Sequence, residues 1–138
     1  MGGLRGDGSA LGRESRLQLN ALLQRARAAH SLNRLSDAER LYRKYLAIKP
    51  DDADALHNLG AIGLQLGQAE AAIGLIRRSL EIDNTSADAQ CNLGLALKQA
   101  GHLEEAEQAY RSAIALDPII VDAHSNLGVL LIEMNRYE

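Results

Sequence analysis

Asn58, Asn92 and Asn126 stand 34 residues apart, each opening an Asn-Leu-Gly triplet. An amide side chain carries one acceptor and two donors. It can pair with a backbone peptide unit by giving one hydrogen bond and taking one. Four residues before each Asn is a carboxylate: Asp54, Asp88 and Asp122. Three residues after it is a small or apolar side chain: Ala61, Leu95 and Val129. Seven residues after it stand Gln65, Gln99 and Glu133. An earlier cycle reads Asn20, Gln24, Arg27 and Ser31 at the equivalent positions. An amide row, an acidic row and a mostly apolar strip suit recognition of an extended chain. The acidic row favours partners with Lys, Arg, Ser or Thr.

Other reactive residue types do not assemble into a catalytic pattern. His57, Cys91 and Ser125 precede the three asparagines. Each lacks a second ligand at helical spacing, so no metal site is expected. His30, His102 and His124 form no His-x-x-x-His pair. No phosphate-binding Gly-rich loop, no Gly-x-Ser-x-Gly elbow and no fixed acid and base pair is present. No enzyme activity and no cofactor are therefore expected of these residues.

Charge and composition narrow the class further. The net charge is -3, with both signs mixed along the chain and no basic stripe to track phosphates. No apolar run approaches the roughly 20 residues of a membrane span. Partners are thus expected to be another protein or a peptide segment, with no nucleic acid and no membrane. Cys91 is the sole cysteine and cannot form an internal disulfide. The first residues have no apolar segment of a signal peptide, and a cytoplasmic location is expected. Residues 1–15 read as a flexible Gly-rich leader, and the Arg5-Gly6-Asp7 tripeptide within it reads as a chance match.

The elements that must position the rows follow from the same period. With Ala53 as position 1, the units run Leu19–Asp52, Ala53–Ser86, Ala87–Ile120 and from Val121 to the cut at Glu138. Ala and Leu dominate, which favours helix. Each unit reads as two helices. Position 15 holds Asn33, Gly67, Gly101 and Asn135, the two residue types that best tolerate a left-handed helix stop. Ser36 and Glu39 have the spacing of a capping box for the following helix. Pro50 and Pro118 end the second helices. At about 100° per residue, positions 4, 7, 8 and 11 share a core face, as in Leu56, Leu59, Gly60 and Gly63. Gly at position 8 and Ala at position 20 allow the two helices to approach. Positions 2, 6, 9 and 13 fall on the opposite face, which carries the rows above.

The stretches "LHNLGAIGLQLG" and "QCNLGLALKQAGHLEEAEQAYRSAIALDP", with Ala106, Tyr110, Ala113 and Pro118, resemble the tetratricopeptide repeat family from Leu19 to Glu138. Asn84, Gly63, Ser79 and Arg25 depart from its pattern. The resemblance implies an all-α solenoid, a right-handed superhelix of antiparallel helix pairs over residues 16–138. It implies a concave groove lined by Gln24, Arg27, Asp54, His57, Asn58, Ala61, Gln65, Asp88, Asn92, Leu95, Gln99, Asp122, Ser125, Asn126 and Val129. The co-chaperone members that clamp a C-terminal carboxylate would need cations where this chain has Leu23 and Asp88; only Asn58 fits. The opening repeats are also similar to the arms of bacterial O-linked N-acetylglucosamine transferase-like proteins and of sulfotransferase fusions. That implies a substrate-guiding arm whose catalytic domain is absent from these residues. The last unit breaks off as its second helix should begin. More repeats are expected to follow, and Leu127, Leu130 and Leu131 are expected to be exposed, favouring self-association through that end.

Overall fold

The computed structural model describes residues 10–135, all of whose regular elements are helices. They are α1 (Ala10–Ser31), α2 (Leu35–Ile48), α3 (Ala53–Gln65), α4 (Ala69–Ile82), α5 (Ala87–Gln99), α6 (Leu103–Leu116) and α7 (Val121–Asn135). The helix α1 begins inside the expected leader. Leu11 and residues 13–19, rich in Arg, Glu, Gln and Leu, are good helix formers and extend the first turn of the repeat backwards. The rest of the leader, with Arg5-Gly6-Asp7, lies outside the described residues, as do residues 136–138.

Three of the four expected stops are seen in full. Asn33, Gly67 and Gly101 have φ of 59°, 77° and 89°. Around each, two backbone bonds close the helix end. Arg34, Gln68 and His102 donate their N–H to the carbonyls of Ala29, Gly63 and Leu97 at 2.7–2.8 Å, and Asn33, Gly67 and Gly101 donate theirs to the carbonyls of His30, Leu64 and Lys98, three residues back, at 3.0–3.1 Å. This is the six-to-one closure that satisfies carbonyls otherwise orphaned at a helix end. Asn135 is the last residue of α7.

The expected capping box is not formed. Helix α2 starts at Leu35 with Arg34 as its N-cap, so Ser36 and Glu39 already lie within it. The tight closure on Ala29 leaves no room for a further residue before the helix, and Glu39 instead pairs with Arg43 at 3.4 Å. Side-chain caps occur where the chain enters a repeat. Asp52 accepts from the N–H of Ala55 at 3.1 Å, and Ser86 from that of Ala89 at 3.0 Å. Each satisfies one of the open donors of the first turn.

The helices divide into two compact units, Met1–Pro50 and Asp51–Glu138. In the first, α1 packs on α2 and buries Ala26, Ala29, Ala38, Leu41, Tyr42 and Tyr45. In the second, α3 packs on α4, α4 on α5, α5 on α6 and α6 on α7, and α5 also touches α3 and α7. A first helix inside the array is thus covered on more than one side. That is why Ala89 and Ala96, at positions 3 and 10, are as buried as Leu93 and Leu97.

The glycines at position 8 are notches filled by a side chain of the second helix. A Cβ on Gly60 would lie 2.6 Å from Ile76 Cγ1, and one on Gly94 would lie 2.6 Å from the Tyr110 ring. Position 24 of the repeat, on the second helix, therefore fills the notch. The position-20 alanine Ala72 lies against both glycines of α3: its carbonyl oxygen is 3.5 Å from a Cβ built on Gly60, and its Cβ is 3.5 Å from one built on Gly63. Ser79, a departure from alanine, is 3 % exposed, and its hydroxyl donates to the carbonyl of Ala53 at 2.7 Å. A buried hydroxyl with that partner ties α4 to the start of α3 without an unpaired polar group.

The expectation for the last helix needs correction. Leu127 and Leu130 are buried in the core with α5 and α6, and Leu131 is half-buried. They face the preceding repeat, which is present. The apolar residues that α7 leaves exposed are Val121, Val129 and Ile132.

Candidate functional site

Within the second unit, α3, α5 and α7 are the first helices of successive repeats, and α5 lies between the other two. The repeat therefore sets corresponding side chains in register. Position 2 carries Asp54, Asp88 and Asp122, all exposed. Position 6 carries Asn58, Asn92 and Asn126, all half-buried. Position 9 carries Ala61 and Leu95, half-buried, and Val129, which is 49 % exposed. Position 13 carries exposed Gln65 and Gln99 and half-buried Glu133. Glu133 meets Lys98 of α5 at 3.7 Å, which adds an ion pair at that rim.

Gln24 and Arg27 belong to the first unit, where both are exposed on α1 together with Asn20 and Ser31. A concavity of about 640 Å³ in that unit is lined by Leu19, Leu22, Arg25 and Ile48, among others, and includes neither Gln24 nor Arg27.

The asparagines are not the purely outward side chains that helical periodicity implies. Asn92 Nδ2 lies 2.8 Å from His57 Nε2, and Asn126 Nδ2 lies 4.0 Å from Cys91 Sγ. The same geometry thus recurs one repeat later: position 6 of one unit turns toward position 5 of the unit before. An amide nitrogen can only donate, so the His57 nitrogen must accept. The imidazole is then neutral, with its proton on Nδ1. One hydrogen of the Asn92 amide is occupied in this way. Its other hydrogen and its carbonyl oxygen are left for further partners. The i, i+35 relation was present in the sequence but invisible to a reading of single helices, because it joins two of them.

The environment tunes these position-5 groups. Burial pushes His57 below its ordinary value, and the carboxylates of Asp88 and Asp54 act in the opposite sense with less effect. Burial pushes the Cys91 thiol up, helped by the charge of Asp122 and opposed by the Asn126 amide. Cys91 is only 6 % exposed, so it lies beneath the face and not at its edge. Ser125, the third residue of the set, is exposed. Near this floor, the Tyr110 hydroxyl is buried with no hydrogen-bond partner among the described residues, and burial raises its pKa as well.

Among the described residues no three His, Cys, Asp or Glu side chains converge on a metal-sized space. None of the described helices is long and apolar enough to cross a membrane.

The architecture matches known repeat proteins. In the Thermobaculum terrenum O-GlcNAc transferase, the matching region has 33% sequence identity and a TM-score of 0.79, covering 84% of this chain and 22% of that one. This chain therefore corresponds to about a fifth of that enzyme's length. The MamA protein matches with 27% identity and a TM-score of 0.78, covering 84% of this chain and 63% of that one. The first repeat domain of Spaghetti (RPAP3), solved with an HSP90 peptide, matches with a TM-score of 0.81 over 85% of this chain and 93% of that one. At 17% identity it shows the fold alone. A search of curated proteins by sequence finds no match. One tetratricopeptide repeat model matches residues 87–119. A second matches residues 9–53 and 23–87. With matches running from residue 9 to residue 119 and a fold of paired helices, the chain belongs to the tetratricopeptide repeat family.

Proposed function

We propose that this chain is a non-catalytic protein-interaction module that holds an extended segment of a partner protein along α3, α5 and α7. The observation that carries the reading is the threefold register on these helices. A half-buried amide is flanked by an exposed carboxylate one turn before it and an apolar residue one turn after it. An extended peptide advances about 3.3 Å per residue, and packed helices lie about 8–10 Å apart. One amide per helix can then meet about every third peptide unit without reading its side chain. In this reading Asp54, Asp88 and Asp122 favour basic or hydroxyl-bearing partners. Gln24 and Arg27 hold the equivalent repeat positions on α1, within the first unit. Asp88 repels a C-terminal carboxylate, so the carboxylate clamp of co-chaperones is not the mode proposed.

Affinity capture from lysate tests this. The wild-type chain is compared with the triple variant Asn58→Ala/Asn92→Ala/Asn126→Ala, with circular dichroism on both. Selective loss of partners at unchanged helicity supports the groove. Equal capture by both proteins moves the interacting surface elsewhere.

A second reading has its own support. Similarity to an O-GlcNAc transferase at 33% identity supports reading the groove as a substrate-guiding arm in a larger modifying enzyme. That reading requires that the full gene product transfer a sugar or a sulfate to the captured proteins. A full product without transfer activity leaves the interaction module alone.

A further inference from the structure

The His57–Asn92 pair joins a titratable ring to one rung of the amide row. Asn92 Nδ2 can donate only to a ring nitrogen with a free lone pair, and the 2.8 Å separation uses Nε2 for this. A ring that gains a proton carries hydrogen on both nitrogens and can no longer accept. The bond can then be kept only if the amide turns over and offers its Oδ1 to the new Nε2–H. We propose that His57 is a pH-dependent positioning residue for Asn92, setting which end of that amide is turned toward α3 and which is left for a bound backbone. This deepens the groove reading and rests on it, since the turned amide regulates binding only if the face binds peptide.

The equivalent contact one repeat later cannot work in the same way. Cys91, the equivalent of His57 one repeat later, is a weak partner at 4.0 Å from Asn126 and has no accepting ring nitrogen. Ser125 ends the set exposed. The groups that act on His57 are Asp54 on its own helix and Asp88 on α5. The charged side chains of α4 are not among them; Glu70 and Arg77 pair with His102 and Glu105. Both carboxylates are exposed, and burial of the ring outweighs them. The turnover therefore falls on the acid side of an ordinary histidine.

Heteronuclear NMR of the unliganded full chain tests the device. At neutral pH the His57 ring nitrogens should report the proton on Nδ1. On acidification, the side-chain amide signals of Asn92 should shift with the same midpoint as the His57 ring, below about 6.5. The Asn126 amide should not follow that midpoint, and in His57→Gln the Asn92 response should vanish. A proton on Nε2 at neutral pH overturns the proposal. So does an Asn92 amide that stays flat through the His57 titration, or one that responds equally in His57→Gln. Because no ligand is involved, a groove that captures no partner would leave this result standing. Failure of the coupling would equally leave partner capture untouched.

Discussion

A glycine can be a notch, a hinge or an economy of space, and neighbouring atoms decide which. Gly94 is a notch: the Tyr110 ring occupies the volume a methyl group would need, at 2.6 Å. Tyr110 is an interior side chain with little freedom to retreat. Gly94→Ala should therefore lower stability by about 1–3 kcal/mol, the usual cost of overpacking. Gly74 is helical too, but a Cβ there meets nothing within 4 Å. Gly74→Ala should raise stability by up to about 1 kcal/mol, because alanine is the better helix former. Thermal melts of the two variants should move in opposite directions, and a common direction would refute the notch. The knob makes its own forecast. Its hydroxyl is buried and unpartnered, so Tyr110→Phe removes a desolvated polar atom while keeping the ring over Gly94. Its melting temperature should equal or exceed that of the wild type. A clear fall would mean that the hydroxyl has a partner in solution.

Between elements, the decisive contacts are those that join one helix to the next first helix. His57 and Asn92 couple α3 to α5, and the pH dependence of stability should show it. Burial makes His57 bind its proton more weakly when folded than when unfolded. The unfolded state then holds more protons in the acid range, so stability rises with pH there. The contribution is complete above the unfolded value of about 6.5 and is lost as pH falls through the lower folded value. The difference in melting temperature between wild type and His57→Gln should therefore change as pH falls below about 6.5, with the wild type losing more. Parallel curves would remove His57 as the source. The sequence carried the helix pairs, their stops and their core face, because each depends on residues within one helix or one turn. Asn33, Gly67 and Gly101 are legible for that reason. It did not carry the knob over Gly94, the burial of Ala89 and Ala96, or the turn of Asn92 toward His57. Those depend on which side of a helix its neighbours occupy. The capping box failed for a related cause: the closing bonds at Asn33 start α2 earlier than Ser36 and Glu39 require.

For the molecule as a whole, stability should be distributed and not shared equally. Each repeat in a solenoid touches only its neighbours, so a local loss spreads by one interface at a time. The second unit shows this connectivity directly: α7 packs on α6 and α5, while α3 packs on α4 and α5. Leu130 is fully buried on α7 within the shared core. Leu130→Ala should cost about 2–5 kcal/mol, the range for a buried leucine, but the loss should be felt unevenly. Hydrogen exchange should speed up most in α7, less in α5 and α6, and least in α3 and α4. A protein that unfolded as one block would instead lose protection evenly across α3 to α7. The distinction bears on function. If α7 opens alone, the rung formed by Asp122, Asn126 and Val129 can be lost while those on α3 and α5 persist. The groove would then shorten by one helix and not vanish. Uneven exchange in Leu130→Ala, together with partial retention of captured partners, is the outcome this architecture requires.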